Sequence, residues 1–156
     1  MAGFFKTPTV EDPVLGPLER TRGLWRCTLL LDGAQQAPMS LFGSGREPDP
    51  MALDAARQIA SAFSGWRPDI QQALFDHYAP YAEAASEGEA SEEGDTLPVL
   101  VGPEQVWAHV SLQSIAITTL RGSVTTEFVY AAAWDDDHLL GARFQARRFV
   151  ELCGSV

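Results

Sequence analysis

Along residues 124–134, every second residue has a side chain that could lie on the same face of a strand. These side chains are Val124, Thr126, Phe128, Tyr130, Ala132 and Trp134. Because successive side chains of a strand point to opposite faces, this spacing predicts a long strand that turns one face toward a core. Leu140, Ala142 and Phe144 resume the pattern, so the polar residues 135–138 must connect two neighbouring strands. This strand pair constrains the chain to a fold that is rich in β-structure.

Further strands are predicted on both sides of the chain's middle. The first group contains an edge-type strand at residues 12–19, a strand at 24–31 and a return strand at 36–42. Asp32-Gly33 is a hairpin signal, because glycine adopts the positive φ that such turns require. The second group adds strands at residues 115–119 and 149–153 to the long pair. Each group is interpreted as a mainly antiparallel β-meander.

The region between the two groups of predicted strands has the periodicity of helices. Asp49 and Pro50 are typical of a helix start, and the apolar stripe that follows is Ala52, Ala56, Ile59, Phe63 and Trp66. Residues 65–68 interrupt that pattern, and a second helix is expected from Asp69 until about Pro80. Its stripe is Ile70, Leu74, His77, Tyr78 and Tyr81. The predicted fold class is therefore α+β, with two mainly antiparallel β-meanders and a helical hairpin packed on the sheet.

The length of 156 residues predicts one domain over residues 1–156. Residues 83–96 lack any large apolar side chain, so nothing offsets the entropy lost on ordering them. Six acids lie in that segment: Glu83, Glu87, Glu89, Glu92, Glu93 and Asp95. We therefore expect residues 83–96 to form an acidic mobile loop within the domain.

A formal net charge of −10 restricts the partners of the protein. Such a chain repels the phosphates of nucleic acids and anionic lipid surfaces, whereas a basic protein partner is electrostatically compatible. No apolar run is long enough to span a membrane, and the N-terminus lacks the layout of a signal peptide. Cys27 and Cys153 are therefore expected to be reduced, and the predicted location is the cytoplasm.

Polar chemistry is densest at Asp135, Asp136, Asp137 and His138. Asp135 and Asp137 could supply oxygen ligands to calcium or magnesium, and His138 suits zinc or iron. The candidate metal ligands are accordingly Asp135, Asp137 and His138. The structural interpretation comes first, because aspartate side chains favour turns by bonding nearby backbone N–H groups.

No other motif indicates catalysis or a cofactor. Gly43-Ser44-Gly45 precedes a predicted helix, but Pro48 stands where a dinucleotide fingerprint has its third glycine. His77 lies on an apolar helix face, as partly buried structural histidines do. There is no nucleophile elbow, no Cys-x-x-Cys and no His-Glu-x-x-His. We therefore expect no cofactor.

The segment from Trp134 to Phe144 resembles a Trp-Asp-x-Glu-His-Gly-Leu-Gly-x-x-Phe signature of a bacterial domain family of unknown function. The segment Asp12 to Leu18 is similar to the Asp-Pro-x-Leu/Phe-Gly-x-Leu start of that family. Two departures stand out: Asp137 replaces the glutamate and Leu139 replaces the first glycine. The resemblance implies no established activity, cofactor or partner.

Two functional hypotheses remain open. The first is a non-enzymatic bacterial cytoplasmic domain that acts through protein binding, as an immunity-like or accessory protein. Its basis is the acidic charge together with the missing catalytic constellation. The alternative is a metal-dependent enzyme or metal-binding module that uses the turn from Asp135 to His138.

Overall fold

The computed structural model describes residues 6–31, 35–87 and 97–156. Four strands come first: β1 at Thr9–Asp12, β2 at Gly16–Thr21, β3 at Leu24–Leu31 and β4 at Gln35–Leu41. A long helix, α1, spans Pro50–Ser86, and a 3-10 helix spans Pro103–His109. Four more strands follow: β5 at Val110–Leu120, β6 at Ser123–Ala132, β7 at Asp135–Gln145 and β8 at Arg148–Cys153.

All eight strands form one sheet in the order of the chain, β1 to β8. Neighbouring strands are antiparallel except β4 and β5, which pair in parallel from Met39 opposite Ile115 to Leu41 opposite Ile117. A parallel pair needs a crossover, and α1 lies in the connection between these two strands. The fold is therefore a mixed α+β structure, and the strands that the sequence predicts as two meanders belong to a single, mostly antiparallel sheet.

The predicted helical hairpin is wrong, because α1 runs without a break through both Pro68 and Pro80. A proline inside a helix removes one hydrogen bond and costs about 3 kcal/mol. The apolar stripe, however, keeps its spacing across Pro68, so Trp66 and Ile70 both lie buried on the same face of the sheet. Burying each such side chain contributes about 1.5 to 3 kcal/mol, and the whole stripe outweighs the local loss.

The start of α1 agrees with the sequence prediction. The Asp49 side chain caps the helix by accepting the N–H groups of Met51 at 2.8 Å and Ala52 at 3.3 Å. Glu87 follows the last helical residue, and the acidic segment begins inside the helix at Glu83. Residues 83–86 are thus helical, whereas 88–96 lie outside the described residues, and the predicted mobile loop stays a prediction there.

The core lies between α1 and one face of the sheet. Trp66 stacks on Phe144 with ring centroids 4.6 Å apart, and Phe63 packs against Phe128 at 5.3 Å. The long predicted strand supplies much of this core, since Phe128, Tyr130 and Ala132 are all buried. Among the described residues, no helix is both long and apolar enough to cross a membrane.

Candidate functional site

The polar stretch that the sequence singles out lies where β6 passes into β7. Ala132 pairs with Asp135, so only Ala133 and Trp134 form the turn between the strands. The next pair is Ala131 with Leu139, which leaves residues 136–138 as an insertion in β7 opposite no residue of β6. The acidic residues therefore form a bulge at the start of a strand instead of the turn itself.

Asp135 is the centre of this bulge, and its side chain is buried. One carboxylate oxygen, Oδ1, accepts the backbone N–H groups of Asp137 and His138, each at 3.2 Å. Its other oxygen, Oδ2, accepts the hydroxyl of Tyr81 of α1 at 2.9 Å. The His138 ring approaches as well, with Nδ1 at 3.1 Å from Oδ1. The carboxylate thus joins the bulge to the C-terminal half of the helix.

The pKa of Asp135 reflects two opposing effects. Burial by itself raises the pKa of this carboxyl, but hydrogen bonds from Tyr81 and His138 outweigh burial and hold the pKa below its usual value. The pKa of Tyr81 shifts upward, because burial and the bond to Asp135 both favour the neutral phenol. Asp135 is therefore a charged acceptor, and Tyr81 is a donor.

A second contact lies beside this one. The indole Nε1 of Trp134 donates to Nδ1 of His77 at 3.0 Å. Because an indole N–H can only donate, Nδ1 of His77 carries no proton, and the neutral ring has its proton on Nε2. Burial lowers the pKa of His77, against the opposing charge of Asp135. His77 is thus the partly buried structural histidine that its helix face predicts.

The three predicted metal ligands are only partly brought together. The side chains of Asp135 and His138 meet, whereas Asp137 contributes its backbone N–H and exposes its carboxylate. Within residues 6–31, 35–87 and 97–156, no three histidine, cysteine, aspartate or glutamate side chains stand together as a metal site would require. The sequence predicted His77 and Tyr81 on one helix face, but it did not indicate that His77 contacts Trp134 and that Tyr81 contacts Asp135.

The arrangement at Asp135 occurs a second time at Asp12, in the connection between β1 and β2. Oδ1 of Asp12 accepts the backbone N–H groups of Val14 and Leu15, each at 2.9 Å. Oδ2 accepts Nη2 of Arg57 of α1 at 2.6 Å. The Arg57 hydrogen bond lowers the pKa of Asp12 to about 2.

The surroundings of Cys27 make it a poor nucleophile. Both Cys27 and Cys153 are free thiols. Burial raises the pKa of Cys27 to about 11, so the reactive thiolate is rare at neutral pH. Cysteine catalysis at Cys27 is therefore disfavoured by its surroundings.

Two cavities lie away from the acidic bulge. The larger, of about 850 Å³, lies at the opposite end of the sheet, beside the β5–β6 and β7–β8 turns. The smaller, of about 170 Å³, is lined by Tyr130, Arg67 and Trp107 among others. The Tyr130 hydroxyl is buried there without a hydrogen-bond partner in the described part of the chain. No single stretch of the sequence could predict either cavity, because the residues that line each one come from three or more separate elements.

The matched family model covers residues 14–155 and is described as Domain of unknown function (DUF6985). The chain belongs to the DUF6985 family. The sequence resemblance depends on two segments: the matched range includes all of Trp134 to Phe144 and begins within the segment Asp12 to Leu18. No curated protein and no solved structure matches the chain. Family membership of this kind assigns neither an activity nor a ligand.

Proposed function

We propose that this member of the DUF6985 family is a non-enzymatic bacterial cytoplasmic domain that binds a basic protein partner in an immunity-like or accessory role. The observation that carries the proposal is a separation of charge along the molecule. Residues 68–120 contain no lysine and no arginine. The acids of that range, together with Asp136 and Asp137, are the basis of the binding surface proposed here.

Several of the described acids lie at one end of the molecule. The bond from Tyr81 to Asp135 places the C-terminal half of α1 against the β6–β7 connection. Exposed carboxylates there belong to Asp76, Glu83 and Glu87 of α1 and to Asp136 and Asp137 of the bulge. We call this the acidic end. Opposite charge on a partner would accelerate its association and orient it on this surface.

Apolar side chains lie among the acids. Val99 and Val101 are 84% and 82% exposed, and Leu139 of the bulge is 38% exposed. Two contacts of Tyr78 bring the segment of Val99 and Val101 to the acidic end. Its hydroxyl donates to the Pro98 carbonyl at 2.6 Å, and its ring packs on Trp134. Exposed apolar residues ringed by charge are the usual composition of a protein interface.

The test compares two triple charge reversals. Glu83→Lys, Asp136→Lys and Asp137→Lys alter the acidic end, while Glu11→Lys, Glu19→Lys and Glu47→Lys alter exposed acids elsewhere. Both sets change the net charge by the same amount, so overall charge is matched. Each tagged protein is used to capture partners by crosslinking in cells of the source bacterium, and the captured proteins are identified by mass spectrometry.

We expect the unaltered protein and the control triple to capture the same basic protein, and the acidic-end triple to lose it. Rebinding of that purified partner should weaken as salt rises, because exposed charges are screened. Equal capture by both triple variants would show that the acidic end is not the binding surface. Capture of acidic proteins alone would contradict the proposed charge complementarity.

The alternative proposal is a metal-dependent module that uses Asp135, Asp137 and His138. The observation that favours it is the 3.1 Å approach of His138 Nδ1 to Asp135 Oδ1, which gathers two of its three proposed ligands. A bound ion stabilises the native state by mass action. Thermal melting with added Zn²⁺, Mn²⁺ or Ca²⁺, and with EDTA, therefore tests it, and melting temperatures that do not change would remove its support.

A further inference from the structure

The larger cavity lies at the end of the molecule opposite the acidic end. It is bounded by the first turns of α1, by the turn at Gly122 and by the β7–β8 turn at Ala146 and Arg147. Its volume of about 850 Å³ falls within the range of small-molecule sites, roughly 300 to 1,000 Å³. We call it the arginine-end cavity.

The floor of the arginine-end cavity is aromatic. Trp66 stacks on Phe144, and the Phe149 ring lies 5.5 Å from Phe144, so three elements present a continuous apolar surface. Met51 of α1 and Val150 of β8 stand on its edges and are 66% and 41% exposed. Such a floor favours an apolar ligand body.

The rim of the cavity is cationic, although the protein as a whole carries −10. Arg147 and Arg148 both line it and are exposed. The Arg148 guanidinium makes no hydrogen bond and no ion pair with any residue that the structure describes. The carboxylate among the lining residues, Asp54, has Arg57 Nη1 at 3.4 Å. The positive charge of Arg148 is thus not paired with any carboxylate in the described part of the chain.

The turn that carries Arg147 is strained. Ala146 and Arg147 have φ of 47° and 65°, a left-handed region that side chains disfavour. The corresponding turns after β2 and β5 place Gly23 and Gly122 at the second of these positions. Two contacts hold the strained turn on α1: Trp66 Nε1 donates to the Arg147 carbonyl at 3.2 Å, and Arg147 Nε donates to Gln58 Oε1 at 2.8 Å. Backbone strain that surrounding contacts maintain is concentrated at functional sites.

We infer that the arginine-end cavity binds a small amphipathic anion of the medium-chain carboxylate class. The apolar body lies on the floor formed by Trp66, Phe144 and Phe149. The carboxylate lies at the rim and accepts hydrogen bonds from the Arg148 guanidinium, with Arg147 adding charge. Guanidinium and carboxylate match in geometry as well as in charge, and their hydrogen bonds are among the stronger ones. This inference is independent of the proposed partner at the acidic end.

The test compares decanoate with decanol, which have the same chain but differ in charge. Isothermal titration calorimetry gives the affinity of the full-length protein, and amide chemical shifts identify the residues perturbed. We expect decanoate to bind more tightly than decanol and to shift Gly122, Phe149 and Val150. Equal affinity for the two compounds would overturn the assignment of an anion, and shifts confined to other regions would overturn the assignment of the cavity.

Two variants test the roles of rim and edge. Arg148→Gln should weaken decanoate binding about three- to tenfold and leave decanol binding unchanged. Arg46→Gln is the matched control, because Arg46 is also exposed and lies outside the cavity lining. Met51→Glu places a repelling charge at the edge, yet an acid in the first turn suits a helix N-terminus, so the fold is preserved. Unchanged decanoate affinity in both Arg148→Gln and Met51→Glu would refute the proposed rim.

Discussion

Asp12 and Asp135 occupy opposite halves of the sequence and make nearly the same set of contacts. Each is buried, and each accepts two backbone N–H groups, from the residues two and three positions ahead. Each also accepts a side-chain donor from α1, which is Arg57 for Asp12 and Tyr81 for Asp135. A buried aspartate thus fastens a strand connection to the helix at two separate places.

The difference between the two lies in the donor. Asp12 has a permanent cation, whereas Asp135 has a neutral phenol and a half-exposed histidine ring. The same contacts occur at Asp12, where no chemistry was predicted. They therefore support a structural role for Asp135. What sets Asp135 apart is its surroundings: His138 touches it, and the exposed acids of the proposed interface adjoin it.

The largest expected effects come from truncating each aspartate. Asp12→Ala should reduce the free energy of unfolding by about 2 to 4 kcal/mol, since two backbone donors and a cation lose their acceptor. Asp135→Ala should cost about 2 to 3 kcal/mol, because its donors are neutral or partly solvated. Urea unfolding gives both values. Asp136→Ala is the exposed control and should stay within about 0.5 kcal/mol of the unaltered protein.

Removal of each helix donor should show a smaller and unequal loss. Arg57→Met leaves the Asp12 carboxylate buried and uncompensated, and we expect a loss of about 2 kcal/mol. Tyr81→Phe leaves Asp135 with three other donor contacts, and we expect about 1 kcal/mol. Equal losses in urea unfolding would show that the cation contributes no more than the phenol, which would remove the distinction between the two sites.

The two connections should also respond to acid, and the one at Asp135 should respond over an additional, higher range of pH because of His77. The pKa of Asp12 is lowered in the folded protein, from 3.8 to about 2, so its stabilisation is complete above pH 3.8 and is lost as pH falls toward 2. The pKa of His77, beside Asp135, is also lowered, from 6.5, so its stabilisation declines as pH falls below 6.5. Unfolding measured between pH 7 and pH 2 should show both declines. Asp12→Asn should reduce the lower decline, to which Asp135 also contributes because its pKa is lowered as well. His77→Gln should flatten the upper decline.

The smallest effect is expected at His138. Its side chain is 48% exposed, and Asp135 keeps its other donors without it, so His138→Ala should cost less than about 1 kcal/mol. Urea unfolding measures this loss. A loss as large as that of Asp135→Ala would show that the imidazole is essential to the network, and would favour a site over a simple connection.

Local patterns explain which parts of this structure could be predicted. The alternation at residues 124–134 and the cap at Asp49 depend on neighbouring residues. The cap agrees with the structure, and so does the strand, except that it ends at Ala132 and leaves Trp134 in the turn. The helical hairpin was wrong because Pro68 is a local signal, while the burial that keeps α1 continuous depends on the distant sheet. The contact between Tyr81 and Asp135 joins residues 54 positions apart, so no local pattern could indicate it. The sequence did point to Asp135 and His138, but their partners on α1 required the fold.

The parallel pairing of β4 with β5 has a consequence for folding kinetics. Every other pair in the sheet joins strands that only a few residues separate in the chain, whereas Leu41 and Ile117 can meet only after the intervening chain closes a large loop. Closing a large loop loses entropy before its contacts form, so local hairpins assemble more readily than distant pairs. We expect the β5–β8 hairpins to form early and the β4–β5 pair to form last. Shortening Ile115 to valine on β5 should then mainly accelerate unfolding, whereas Val129→Ala on β6 should slow refolding.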